Sequence, residues 1–515
     1  MHSSEGLAAG RPPRRLPFAR RGLLPAVGAL LLLGACVPKT APVTAPTPPD
    51  RASVLRRDLE QIFGPPPGGS ALWGVRIESL DHPGTALFTL NADRLLVPAS
   101  NMKLLTTAAA ASRLGWERTF PTTISSTTAM LADGTVHGDL VVSGTGDPTI
   151  GNRQTSASTP AAIADALYGK GLRRVEGRVV GDDRWFADEP LGEGWAWDDL
   201  AFSYSAPISG LVYNENIAAV RISPGASAGM AAATSLQDWN SGLIVHSRVV
   251  TTAPGTTSNV DVARMPGANV VQLSGSIAAD APPITRYLAV ASPARYFAGA
   301  LRSALLARGV VVDGEAADGA VDPAGPLPPN VPPLLVWQSP TLDVIATRLL
   351  KVSQNLYAET LLRELGASGS QRGSAEGGEA VVRDVLDGWG IARSAYSVSD
   401  GSGLSRYNLV TPSAFVQLLT AVYKEPRLRD QWLAALPTGG ADGTLGHRLN
   451  GTPAEGRVHA KTGSLTSVRT LSGYVQTIRG EWIVFSMLAN NFADPVTPAD
   501  VEAVMDKALV RLTAY

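Results

Sequence analysis

Three short polar clusters, in one order and far apart, constrain this chain more than any other feature: Ser100-Asn101-Met102-Lys103, Ser353-Gln354-Asn355 and Lys461-Thr462-Gly463. Each sits in a segment with its own pattern. The stretch 101–114 is rich in helix formers and stops at Gly115, so the first cluster opens a helix. The second falls between the helical patterns of 342–352 and 355–365, at an inter-helix turn. The third precedes and enters a strand-like tail. To act together they must meet in one crevice from positions hundreds of residues apart.

Together these residue types supply a serine acyl-transfer site whose base is lysine. Ser100 and Lys103, at i and i+3, share a helix face and can touch. A serine hydroxyl becomes nucleophilic when a neighbour takes its proton. Lysine can do this only when its pKa falls, through burial and a nearby cation, for which Lys461 is the candidate. The helix N-terminus places backbone N–H groups where an oxyanion would develop. Ser353 would relay a proton between Lys103 and a leaving amine, and Asn355 would orient Lys103 and bond a substrate amide. Lys461 and Thr462 would bind a terminal carboxylate. Gly463 would let a substrate backbone approach the strand, and the Ser464 N–H would pair with that of Ser100 as oxyanion donor. Taken singly, the clusters have plainer readings as an N-cap serine, a polar turn and a solvated lysine. Their conjunction, each in the expected context, favours the site.

The segments between the clusters read as two kinds of structure. Residues 51–64 have helical spacing with Leu55, Leu59 and Phe63 on one face. Residues 71–80 and 85–90 alternate apolar and polar about His82-Pro83-Gly84, a hairpin. From about 119 to 325, short β-prone runs alternate with Gly, Pro, Asp and Asn, with one helix at 293–309; this reads as a β-rich insertion of one or two modules. The Pro-rich stretch 323–333 reads as the linker back. Helical patterns follow at 342–352, 355–365, 375–390 and 411–423, then strands at 470–478 and 481–490 and a last helix at 498–515. The predicted class is α+β: a helix-and-sheet domain over 51–118 and 326–515, split by the insertion at 119–325. The N-terminal hairpin and C-terminal strands would share one antiparallel sheet.

Residues 1–35 carry Arg11, Arg14, Arg15, Arg20 and Arg21 before the apolar run 22–35, the pattern of an export signal too short for a comfortable membrane span. Leu33-Gly34-Ala35-Cys36 resembles a bacterial lipobox, so Cys36 is the candidate lipidation site and membrane anchor; a plain cleaved signal is the alternative. Residues 36–50 read as a Pro/Thr-rich tether. As the one cysteine of the chain, Cys36 leaves no intramolecular disulfide. A net charge of −1 gives no basic excess for nucleic acid. The six histidines lack zinc-site spacing, and no phosphate loop or dinucleotide fingerprint occurs, so neither metal nor cofactor is predicted.

The order S-x-x-K, S-x-N, K-T-G resembles that of penicillin-interacting serine enzymes. With ASNMKLLTTAAA, KVSQNLYAETLLREL, SDGSGLSRYNLVTP and AKTGSL, and SGTGDPTI, GDDRWF and YSAPISGL in the insertion, the chain resembles the class C low-molecular-mass penicillin-binding proteins, D-alanyl-D-alanine carboxypeptidases/endopeptidases. The resemblance covers most of 51–515 and implies a penicillin-binding transpeptidase-like (serine β-lactamase-like) domain. It also implies peptidoglycan peptides as substrates, β-lactams as covalent inhibitors acylating Ser100, and Lys103 as base. It further implies that Arg406, Leu465, Trp185 and Asp188 line a pocket for the substrate's side chain. The second cluster departs from the more usual S-D-N or S-N-N, with a middle residue expected to point away from the site. A serine β-lactamase and a low-turnover β-lactam- or wall-binding envelope protein are the alternatives; the first needs an extra base, and no convincing glutamate stands out.

Overall fold

Alternation in the first hairpin produces strands Leu72–Ser79 (β1) and Ala86–Leu90 (β2), paired antiparallel. The structure is a computed structural model and describes residues 50–66, 70–151, 158–367 and 371–515; the leader, Cys36 and the tether up to residue 49 lie outside them. Three C-terminal strands, Val458–Leu465 (β3), Val468–Gln476 (β4) and Trp482–Asn490 (β5), complete an antiparallel sheet of order β2-β1-β5-β4-β3. Hairpin and tail thus share one sheet, and the third cluster lies on its edge strand.

Both faces of this sheet are covered, as β5 records residue by residue. Ile483, Phe485, Met487 and Ala489 enter one hydrophobic core, while Val484 and Leu488 enter another. The first core is closed by helix Arg51–Phe63 (α1), through Leu55, Leu59 and Phe63, and by the C-terminal helix. Each of these buried side chains contributes about 1.5–3 kcal/mol. The second core is built on helix Met102–Leu114 (α2), where ten consecutive residues from Met102 to Ala111 are buried. Its run of alanines lets neighbouring helices approach closely on all sides. Leu342–Val352 (α3), Asn355–Leu365 (α4), Ala375–Gly388 (α5) and Pro412–Lys424 (α6) contribute to the same core. Helix Pro426–Ala435 (α7), which the sequence pattern did not reveal, adds Leu428, Trp432 and Ala435. Pro498–Thr513 (α8) ends the chain, with a capping box between Thr497 and Asp500.

The β-rich insertion has its own core. One of its sheets runs Ala316–Asp318, Val179–Asp182, Leu140–Gly144, Pro121–Ser126 and Leu335–Gln338 in spatial order. The last strand differs from expectation: after the Pro-rich stretch the chain first adds Leu335–Gln338 to Pro121–Ser126, so residues 335–338 pair with the insertion. Besides the expected helix Pro293–Arg308 there is a second, Pro160–Gly169, started by Thr159, whose hydroxyl accepts the Ala162 N–H. Among the described residues no helix is long and apolar enough to cross a membrane.

Candidate active site

Ser100 lies in a short 3-10 turn, Ala99–Asn101, that leads into α2. Ala99 has φ 46°, left-handed for a residue with a side chain, a strain of about 1–3 kcal/mol. Ser100 does not cap the helix. Its Oγ lies 2.9 Å from Lys103 Nζ. That nitrogen is also 2.7 Å from Asn355 Oδ1 and 2.6 Å from the Ser402 carbonyl, and the side chain is fully buried. Burial pushes the Lys103 pKa down to about 7, against the opposing pull of Asp400 and Glu359. The downward cause is burial; the effect of one lysine on the other appears at Lys461, which burial and the Lys103 charge hold well below the ordinary value.

Ser353 sits where α3 ends, at φ 61°, and this left-handed residue turns the chain directly into α4. Its Oγ accepts from Lys461 Nζ at 2.8 Å. The Gln354 side chain accepts the Leu356 N–H at the start of α4. Asn355 is divided between partners: its Oδ1 faces Lys103, and its Nδ2 donates to the Tyr204 carbonyl of the insertion at 2.7 Å.

The edge strand meets this centre from the other side. Gly463 does something more local than the sequence suggested. A Cβ there would lie 2.1 Å from Thr470 Oγ1, 2.8 Å from the Pro98 carbonyl and 2.9 Å from the Ser100 nitrogen, so the glycine lets β3 approach the chain's own Ser100 turn. Thr470 Oγ1 donates to the Pro98 carbonyl at 2.8 Å. Oriented to suit its neighbours, the Asn101 amide donates to the Lys461 carbonyl and accepts from Ser472 Oγ, both at 2.7 Å. Lys461 itself is buried, its Nζ donating to Ser353 Oγ and to the Thr462 carbonyl, both at 2.8 Å. Hydroxyls stand on this side of the open space: Thr462 Oγ1 donates to Thr444 Oγ1 at 2.8 Å, and Ser464 lines the same space.

A cavity of about 490 Å³ opens over Ser100, Ser353 and Asn355. Thr462, Ser464, Leu465 and Arg406 line it, and Arg406 Nη2 donates to the Thr466 carbonyl at 2.8 Å. Trp185 and Asp188, expected in the same pocket, lie elsewhere. The Trp185 indole packs in a small cluster with Phe186 and donates to Glu364 at 2.7 Å. Asp188 accepts the Ala375 N–H at the start of α5 and lines a separate cavity of about 300 Å³. The insertion instead reaches the Ser100 cavity through Gly194, Ala196, Asp199 and Tyr204, with the Tyr204 hydroxyl donating to Asp199 at 2.7 Å. Sequence reasoning also missed Thr444 and Leu404. Leu404 lies in the noted SDGSGLSR run, whereas Thr444 had no local signal.

The chain is similar in sequence and fold to known proteins. The model of the D-Ala-D-Ala carboxypeptidase 3 (S13) family matches residues 55–512. A D-alanyl-D-alanine carboxypeptidase of Actinomadura sp. (strain R39) is 34% identical over 497 residues, covering 94% of this chain and 88% of that protein. The D-alanyl-D-alanine carboxypeptidase DacB of Haemophilus influenzae is 27% identical over 413 residues, covering 78% and 82%. The crystal structure of penicillin binding protein 4 (dacB) from Haemophilus influenzae has the same fold, with a TM-score of 0.76 at 24% identity over 90% of this chain and 98% of that one. Matched from Leu55 to Leu512 and aligned along most of its length with these relatives, the chain belongs to the D-Ala-D-Ala carboxypeptidase 3 (S13) family.

Proposed function

We infer that this protein is a serine-type D-Ala-D-Ala carboxypeptidase that acts on peptidoglycan stem peptides through an acyl-enzyme on Ser100. The observation that carries the mechanism is a buried amine, pushed down to about 7, placed 2.9 Å from a serine hydroxyl on the wall of an open cavity. Lys103, when neutral, takes the Ser100 proton as Oγ attacks the carbonyl between the two D-alanines. The Ser100 and Ser464 N–H groups receive the oxyanion. Because Ser353 Oγ accepts from Lys461, its own proton is free for the departing amine, and Lys103 replaces that proton. D-alanine leaves; water, with Lys103 again as base, then cleaves the ester and restores Ser100. The hydroxyls of Thr444, Thr462 and Ser464 receive the terminal carboxylate, with the Lys461 charge behind them. Asn355 orients Lys103, while Arg406 and Leu465 border the space for the acyl side. β-Lactams acylate Ser100 by the same route.

The Arg-rich leader supports export to the cell envelope, and the lipobox-like run supports lipid attachment at Cys36. The catalytic domain comprises 51–118 and the chain after the insertion. Incubation with a D-Ala-D-Ala-terminated peptide tests the reading by mass spectrometry: free D-alanine and a peptide shorter by one residue are expected. Lys103→Ala should lose penicillin labelling of Ser100 while keeping its circular dichroism. Labelling without D-alanine release would make the protein a receptor, and rapid penicillin hydrolysis would make it a β-lactamase.

A further inference from the structure

One face of α4 carries three polar residues at a spacing of four, Asn355, Glu359 and Arg363, of which Asn355 touches Lys103 directly. Glu359 is fully buried and has no place in the mechanism above. Its Oε1 accepts two backbone N–H groups, from Gly401 at 3.0 Å and Ser402 at 2.9 Å. Its Oε2 accepts from Arg363 Nη1 at 3.2 Å. The carbonyl of the same Ser402 is the 2.6 Å partner of Lys103 Nζ. Gly401 and Gly403 wedge this turn in place. A Cβ at Gly401 would lie 2.7 Å from the Ala358 carbonyl on α4, and one at Gly403 would lie 1.8 Å from the Ala99 carbonyl beside the nucleophile. The Thr106 hydroxyl on α2 holds the Gly401 carbonyl at 2.8 Å.

Resting on the reading of Ser100 and Lys103 given above, we propose that Glu359 is a positioning residue for the serine–lysine pair: it clamps the 400–403 turn whose carbonyl aims Lys103, and its carboxylate balances the ammonium that forms when Lys103 takes the Ser100 proton. Burial, with the Asp400 charge beside it, pushes the Glu359 pKa up to about 7, while Arg363 and the two turn amides pull the other way, so the carboxylate supplies its full charge above pH 7, where Lys103 acts as base. The charged groups around the pair are few. Asp400 stands on the turn, Lys461 lies beyond Lys103 on β3, and Arg363 follows on α4 with Asp188 at 3.7 Å from its Nε. Asp400 and Glu359 are the two that favour the Lys103 ammonium.

Glu359→Gln tests this, because it keeps an oxygen for the two turn amides and removes the charge. The readout is the pH dependence of Ser100 acylation by a fluorescent penicillin between pH 5 and 9. The acid limb should move to lower pH by half a unit or more, since an ammonium with one fewer anion nearby gives up its proton more easily. The plateau rate should fall at least tenfold, since the ammonium formed during attack loses its counter-charge. Glu359→Asp, which keeps the charge, should restore the position of the limb. A purely structural role would lower the melting temperature and the rate without moving the limb. If Glu359→Gln does not fold because Arg363 is left unpaired, Glu359→Gln/Arg363→Met removes both charges and is read the same way. An unmoved limb in whichever variant folds overturns the proposal. Wild-type labelling at Ser100, run in parallel, separates this failure from that of the carboxypeptidase reading, which would show as no labelling or no D-alanine release in the wild type.

Discussion

Replacing Gly463 by alanine adds one methyl group at the tightest point between the edge strand and the nucleophile. The new carbon would sit 2.1 Å from Thr470 Oγ1, 2.8 Å from the Pro98 carbonyl and 2.9 Å from the Ser100 nitrogen. Ordinary contacts begin near 3.4 Å, so relief requires movement of more than 1 Å from Thr470 and about half an ångström from the Ser100 turn. Thr470 cannot swing aside freely, because it is buried and its hydroxyl holds the Pro98 carbonyl at 2.8 Å. The strand must therefore back away from Ser100, carrying the Ser464 N–H with it. Overpacking of this kind costs about 1–3 kcal/mol of stability. A displacement of about 1 Å between reacting groups costs about 10²-fold in rate. The assay is the second-order rate of penicillin acylation, together with kcat/KM for D-alanine release, in protein shown folded by its melting curve. Both rates should fall about 10²-fold with the cavity otherwise intact. An alanine variant that acylates within twofold of wild type would refute the claim that close apposition of β3 and Ser100 builds the oxyanion site.

Other substitutions separate catalytic from structural roles. Asn355→Ala removes the 2.7 Å partner of Lys103 and the link to Tyr204, so acylation should slow at least tenfold while the melting temperature changes little. Tyr474→Phe deletes a buried hydroxyl that donates to the Leu419 carbonyl at 2.7 Å and accepts from Trp432 Nε1 at 3.1 Å; urea unfolding should show a loss of about 1–3 kcal/mol with acylation unchanged. Lys103 titrates at about 7 in the folded protein, against 10.5 for the ordinary side chain, so between these values the unfolded chain binds more protons. Wild-type stability should therefore rise with pH across that window, and urea unfolding of Lys103→Met at pH 7 and pH 9 should show a smaller rise.

Much of this architecture was legible because its signals are local. The 71–90 hairpin alternates about a Pro-Gly turn, and β4 and the largely apolar β5 flank Arg479-Gly480. The 101–114 helix is visible from its composition and its glycine stop. Short helices were harder. Pro426–Ala435 buries only Leu428, Trp432 and Ala435, and Pro160–Gly169 lies among β-prone runs, though Thr159-Pro160 is a readable helix start. The three clusters could be recognised because each keeps its reactive groups within four residues. What could not be read was how distant segments meet. Trp185 and Asp188 find partners on α4 and α5 and so turn away from the Ser100 cavity, while Asp199 and Tyr204 take its rim. The role of Glu359 depends on a turn 42 residues further along the chain. Nor does composition reveal the left-handed backbone of Ala99 and Ser353, which aims both serines; only the packed structure enforces it.

The rate of Ser100 acylation measured against pH tests the role of Lys103 most directly. An amine titrating at about 7 is half neutral at pH 7 and about one-hundredth neutral at pH 5, so acylation should climb about 50-fold between them and level off by pH 9. A rate that kept rising tenfold per unit through pH 9, or one indifferent to pH, would mean that Lys103 is not the base.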